Sequence, residues 1–441
     1  MRQIAIIILL LLFSEAAFSQ AQQTTTSVDA ATYQQWVQQD WDALIDTGNR
    51  ALNNGFDFYF LRYRLGVAYY QKQNYHRAAR HFQKAFEMNN ADDLLKEYLY
   101  YSYLFGGRNY EAYFIEQSFT TSTRRKLSLG EDRPFKSVYI SWSGQPGAPS
   151  SATENFNTSI ESEGLQTVSI GFNLFQIGLE HQAGKRTWLS HAYTHLRKSY
   201  FLFSNIEGEP TINSDETIYL NQYYLGATAL LKPGLDIRFG VHYINLLRYE
   251  TTVSGPPRPR TVRTTISNSD FVGSAAISRR FNYVETGFSS SVSNLNSSTQ
   301  LQQNVVLSLF PFGNLRFYTT SILHYQTEKP DRQDWRTEMF FTQKTGAKLT
   351  SRIWTEASVN LGNQLNVVTD NGRTIFNDTD VITSRYGIRL HTIITDKMNI
   401  LLDYNYMEKE SRFVPVEFGT DVPNPVSYQT QNITVTLLWT I

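Results

Sequence analysis

PVSYQTQNITVTLLWTI, residues 425–441, reads as an extended strand with two chemically different faces. Successive side chains of a strand alternate sides, so Ile433, Val435, Leu437, Trp439 and Ile441 share one face. Asn432, Thr434, Thr436 and Thr440 share the other. A face of large apolar groups set against hydroxyls and an amide suits a wall with hydrocarbon on one side and water on the other. The chain stops on this ribbon, which is therefore expected to complete a sheet.

The totals agree with that reading. Aromatic residues make up 14% of the 441, with 27 Tyr and 28 Phe. Mean hydropathy is nevertheless −0.36, and beyond the first twenty residues there is no run of about 18 apolar residues able to span a bilayer as a helix. A helical membrane protein cannot satisfy both facts. A barrel can, because only alternate residues of each strand meet lipid and aromatic girdles mark both interfaces. The terminal ribbon resembles the closing strand of bacterial outer-membrane barrels. Lys+Arg and Asp+Glu balance at 40 each, so no overall field favours nucleic acid. Cysteine is absent, which removes disulfides, thiol catalysis and a lipidated N-terminal Cys.

Three regions follow along the chain. Residues 1–19 read as a signal peptide, with Arg2, the apolar run Ile4 to Phe13, and Ala17-Phe18-Ser19 as the cleavage site. Residues 28–129 have helical period, beginning with an apolar stripe of Tyr33, Trp36, Trp41 and Leu44 that Asn54-Gly55 ends. Within them Tyr59 to Asn90 resembles a tetratricopeptide repeat: Leu65, Gly66 and Tyr69 fall on its first helix, and Ala78, Phe82 and Ala85 on its second. Thirty-four residues on, Leu99, Tyr103 and Ala112 echo the pattern while Glu116 replaces Phe82. Such hairpins grip partner proteins, with Tyr59, Tyr63, Arg64, Tyr98, Tyr101 and Tyr113 as candidate contacts; the alternative is a packed spacer. The basic cluster Arg124, Arg125 and Lys126 then precedes a change of period from 3.6 to 2. It suits either anionic head groups or a helix C-terminus.

Residues 135–441 hold fourteen amphipathic segments, beginning near Ser137, Gln166, Thr187, Thr217, Leu235, Thr264, Asn282, Gln302, Leu315, Asp334, Ser351, Val381, Met398 and Ser427. The expected fold class is α+β and multidomain: a short α-helical segment, then a transmembrane antiparallel β-barrel of about 14 strands. Short turns are expected at Ala183 to Arg186, Lys232 to Gly234, Arg279-Arg280, Pro311 to Asn314, Leu349-Thr350 and Thr395 to Lys397, with longer loops between. Short turns belong to the periplasmic rim, which puts the helices in the periplasm.

Alternation then sorts the faces. His191, His195 and Arg197 are expected inward on the third segment, Asp236, Arg238 and His242 on the fifth, and Arg316 and His324 on the ninth. Arg336, Glu338, Lys344 and Lys348 follow on the tenth, Glu356 on the eleventh, Arg385, Arg389 and His391 on the twelfth, and Asn399, Asp403, Asn405 and Lys409 on the thirteenth. Ile382, Tyr386, Ile388, Leu390 and Ile394 are expected outward. The second segment changes phase between Leu174 and Phe175, which a bulge would explain.

No chemistry emerges from these residues. Ser190 and His191 are neighbours on a strand and point to opposite faces, so they are no nucleophile and base. His191 and His195 stand roughly 13 Å apart along a strand, too far for one metal ion. The Pro-rich stretch Gly255 to Arg260 reads as a stiff loop. No enzyme, cofactor or metal site is expected. Helices followed by a barrel resemble bacterial exopolysaccharide export proteins. That resemblance implies a conduit for a polysaccharide chain, with Tyr193, Tyr224 and Tyr318 offering stacking surfaces, and helices that recruit a periplasmic protein. The competing reading is a non-conducting membrane anchor for a docking module.

Overall fold

The computed structural model describes residues 24–129, 134–145, 163–205, 212–254, 260–330, 334–378, 380–415 and 425–441. The leader at 1–19, the Pro-rich stretch 255–259 and much of the longer loops lie outside the described residues. Two compact units divide after Tyr103.

The first unit is helical: α1 (Thr25–Val37), α2 (Trp41–Asn53), α3 (Tyr59–Gln71), α4 (Tyr75–Met88) and most of α5 (Asp93–Phe105). Side chains mark the starts, with Asp40 capping α2 through the Ala43 N–H and Asn74 capping α4 through the Arg77 N–H. Leu65, Tyr69, Ala78, Phe82 and Ala85 are buried where α3 meets α4. Arg64 is no recognition residue: it is buried, 2.8 Å from Asp29, with its guanidinium over Tyr33.

Gly66 sets the spacing of that pair, since an added Cβ would meet the Phe82 ring at 2.5 Å. Gly66→Ala gains about 1 kcal/mol of helix propensity and loses about 1–3 kcal/mol to overpacking. The net expectation is a lower melting transition of the helical signal in circular dichroism. An unchanged or raised transition would mean the pair is loosely packed.

The second unit runs from Leu104 to Ile441, so α6 (Asn109–Glu116) and α7 (Thr121–Lys126) belong with the strands rather than with the earlier helices. The period change expected near 130 marks the first strand but not the boundary of compactness. Arg124 on α7 pairs with Glu116 at 3.0 Å.

Fourteen antiparallel strands close into a barrel. They are β1 (Phe135–Gln145), β2 (Gly164–Gly184), β3 (Thr187–Asn205), β4 (Ile212–Lys232), β5 (Leu235–Ser254), β6 (Arg260–Phe281), β7 (Val284–Ser293), β8 (Ser298–Leu309), β9 (Phe317–Pro330), β10 (Arg336–Lys348), β11 (Ile353–Gln364), β14 (Val381–Thr395), β15 (Met398–Ser411) and β17 (Val426–Thr440). The short strands β12 (Val367–Thr369) and β13 (Thr374–Phe376) pair only with each other, and β16 (Val414–Pro415) adds to β2. The opening stretch of sequence closes the ring, with β17 against β1 from Ser137↔Thr440 to Gly144↔Ile433. Closure leaves the wall no open edge, which hydrocarbon would penalise. Across the seam Ser141 and Ser143 meet Thr436 and Thr434 on the inner face, at 2.8 and 2.7 Å. Ile433, Val435, Leu437 and Trp439 are exposed on the outer face.

Three local expectations are corrected. The β6–β7 turn lies at Asn282-Tyr283, not at Arg279-Arg280, because Asn282 takes the left-handed φ of 47° that a tight hairpin requires. β2 has no bulge between Leu174 and Phe175. It pairs with β1 in unbroken register from Ser137↔Glu180 to Gln145↔Phe172, so Phe172 and Leu174 face inward while Phe175 and Ile177 face lipid. The irregularity against β3 lies at Ile170, between Ser169 and Gly171. Ile382 is buried toward the interior, because a register shift between Ile382 and Ser384 turns the start of β14.

Candidate functional site

The interior is organised by β12 and β13. Val367 to Phe376, VVTDNGRTIF, is a hairpin whose tip takes left-handed backbone at Asp370, Asn371 and Gly372, a conformation suited to Asp, Asn and Gly. Beta-branched runs around D-N-G were the sequence signal for it. The hairpin folds inside the ring and is tied to the wall on several sides. Ser274 Oγ donates to the Asn371 carbonyl at 2.6 Å, and His242 Nδ1 to the Gly372 carbonyl at 2.9 Å. Gln302 bonds Val368 twice, Nε2 to its carbonyl at 2.8 Å and Oε1 from its N–H at 3.0 Å. Gln326 Nε2 donates to the Leu365 carbonyl at 2.8 Å. Gly240 permits the close approach, since a Cβ there would stand 2.5 Å from the Asn371 oxygen.

Charge and apolar packing complete the attachment. Asp378 lies between two buried lysines, 2.5 Å from Lys198 and 2.6 Å from Lys409. Val368 joins Leu220, Ile244, Val272 and Leu295 in an apolar cluster against which Leu196, Ile218, Leu246 and Ile375 pack. One side of the lumen is therefore filled by the hairpin, in part through apolar packing. Beside the hairpin a cavity of about 540 Å³ remains, and much of its wall is hydroxyl and amide: Ser143, Asn360, Asn377, Asn405, Asn432 and Thr434.

At the short-turn end α6 lies against the barrel. Tyr110 packs against Trp188, with centroids 4.9 Å apart and the rings tilted by 43°, and donates to Glu180 at 3.2 Å. Glu111 accepts the Gly234 N–H at 3.0 Å and pairs with Arg108 at 2.6 Å. Burial alone would push the Glu111 carboxyl up, but Arg108, Arg280 and the Gly234 N–H together hold it below the usual glutamate value. Arg280 also donates to the Gly106 carbonyl, and Gln117 to that of Lys185, both at 3.0 Å.

The sequence-derived residues are not all together. His191, His195 and Arg197 lie on the outer face, with Tyr193, because β3 pairs Ile177 with Tyr193 and Phe175 with His195, and those partners face out. His191 there contacts His181 at 3.1 Å and Tyr223 at 2.7 Å. Polar residues occupy both faces of β3, so alternation alone left its phase undecided. Its inward residues are Trp188, Thr194, Leu196 and Lys198. Arg316 sits in the turn before β9, exposed rather than within a strand.

The others project inward. Arg238, His324, Glu356, Arg385, Arg389 and Asp403 line the cavity, and Asp236 pairs with Arg238 at 2.8 Å. His391 stacks on Trp354 and meets Asn399 at 3.1 Å. Arg336 and Glu338 lie with Glu328 and Arg412 around a smaller recess, where Arg336 pairs with Glu328. Tyr224 and Tyr318 are inside but engaged, Tyr224 against the hairpin and Tyr318 donating to Glu356 at 2.6 Å. Ser190 pairs with inward Glu180, so its side chain and that of His191 point apart. Among the described residues no group of three His, Asp or Glu is placed to hold a metal ion.

Apolar exterior, closed ring and polar cavity define a membrane-spanning β-barrel of outer-membrane type with an N-terminal helical unit and an internal hairpin. No family model and no curated protein matches the sequence. Among solved structures, a Pseudomonas aeruginosa FadL homologue is similar over 69% of this chain and 90% of its own, with 8% identity and a TM-score of 0.42. The P. putida toluene transporter TodX gives 73%, 95%, 7% and 0.45 in the same order. A bacterial polysaccharide outer-membrane secretin gives 70%, 100%, 7% and 0.35.

Proposed function

We propose that this protein is a conduit through the bacterial outer membrane whose bore is set by the inner hairpin. The observation that carries the reading is the polar cavity left beside a hairpin pinned to the wall on several sides. A barrel serving only as an anchor needs neither an attached constriction nor space next to it. The cargo is a hydrated solute or chain of the carbohydrate class: hydroxyl and amide side chains suit sugar hydroxyls, and Phe172 and Phe376 on the cavity wall offer apolar faces to sugar rings. Short turns mark the periplasmic rim, so the helices lie in the periplasm. There the first unit presents a half-buried aromatic face on α3, α4 and α5, in which ring touches ring in the order Tyr59, Tyr63, Tyr98, Tyr70, Tyr75. It recruits a periplasmic protein, as tetratricopeptide-like hairpins do.

The seating of α6 favours a second reading, a closed anchor. Single-channel recording of the full chain in planar bilayers separates the two. A small conductance is expected, raised in Tyr110→Ala/Glu111→Ala, where α6 loses its hold. Silence in both, and after shortening of the hairpin, would leave the anchor.

A further inference from the structure

The cavity beside the hairpin is lined by seven Lys and Arg side chains against four Asp and Glu. Most of the cations are neutralised locally: Lys198 and Lys409 by Asp378, Arg389 by Asp403 at 2.5 Å, and Arg238 by Asp236. Lys344, Arg373 and Arg385 make no ion pair within 4.0 Å among the described residues. Among the described residues Arg385 donates to the Asn360 side-chain amide oxygen, at 3.2 Å, and lies over the Phe376 ring. Arg373 lies over Tyr139.

Lys344 and Arg385 share one wall. Lys344, Ser358, Gly387 and Asn405 are in register across β10, β11, β14 and β15, and Thr342, Asn360, Arg385 and Met407 form the next inward row. Two strands across and two residues along puts their Cα atoms roughly 12 Å apart, so both long side chains reach one small solute between them. Arg373 comes from the hairpin. Asp370, at its tip, lines the same cavity and accepts a hydrogen bond from Thr374 at 3.0 Å. It stands there as a tethered anion.

We propose that this cavity is a binding site for a small organic anion, whose carboxylate or phosphate oxygens are held by Lys344, Arg385 and Arg373 in competition with Asp370. The bound group exchanges water for charge-assisted hydrogen bonds, the strongest kind available to an oxyanion. Its use as a selectivity element rests on the conduit reading; the binding itself does not.

Titration calorimetry on the purified full chain in detergent tests it with three probes of one shape, glucuronate, glucose 6-phosphate and glucose. At least one of the two anions is expected to bind, and which one identifies the oxyanion; glucose is expected about tenfold weaker or not at all. Lys344→Gln/Arg385→Gln should abolish anion binding, with each single substitution as a fallback where the pair fails to fold. Asp370→Asn should strengthen it, a gain that a merely structural carboxylate would not produce. Glucose binding as well as glucuronate, or an unaltered double variant, would overturn the site. A chain that conducts without binding these anions loses the site and keeps the conduit, while one that binds without conducting does the reverse.

Discussion

Replacing residues 366–378 by a short Gly-Ser linker is expected to raise single-channel conductance several-fold and to leave the barrel closed. Gln364 and Ile382 already face each other across β11 and β14, so a short connection can join the strands once the hairpin is gone. The wall groups that lose partners, among them Gln302, His242, Ser274 and Lys198, would then face a water-filled lumen. Their cost is small there, because water replaces each lost hydrogen bond. The apolar residues that now pack against Val368 and Ile375 would be wetted, which predicts a lower thermal transition. The larger bore should appear both as current and as faster entry of neutral sugars into liposomes. Unchanged conductance in a variant that still migrates as a folded barrel would mean that the hairpin does not set the bore.

The second large effect is expected at Asp378. Its carboxylate serves two lysines whose side chains are 8% and 3% exposed. Removing one partner of a buried charge group costs about 3–5 kcal/mol, mostly because the remaining charge is left without compensation. In Asp378→Ala two ammonium groups share that fate and repel each other. The cheapest relief is for water to enter and for the hairpin base to detach. The expectation is a lowered unfolding transition together with noisy, enlarged current. Asp378→Glu, which keeps the charge, should recover most of both. A variant as stable and as quiet as the parent would show that the lysines are hydrated and that the attachment lies elsewhere.

Much of this architecture was legible from period alone. All fourteen barrel strands begin within a few residues of where alternation places them, and the aromatic-bearing final ribbon does close the ring. Faces were legible where one side is plainly apolar, as on β15, with Leu402 and Tyr404 out and Asp403 and Asn405 in. They were not legible on β3, where His191, His195 and Arg197 alternate with Lys198, Thr194 and Leu196. There the phase comes from neighbours: Tyr193, Tyr223, Tyr243 and Phe271 are in register across four strands and form one outward aromatic row. A hydrophobic pattern fixes a strand's two faces but not which one looks in.

By itself, then, the sequence determined a two-sided wall, its strand count and its closing strand, because each is written in residues two apart. The tertiary structure alone decided that the hairpin at 367–376 turns inward and that α6 goes with the barrel. It also decided that, among the described residues, Lys344, Arg373 and Arg385 make no ion pair within 4.0 Å while Lys198 and Lys409 share Asp378. Those outcomes depend on groups as far apart in the chain as Lys198 and Asp378, and local periodicity holds no record of which distant charges closure brings within reach.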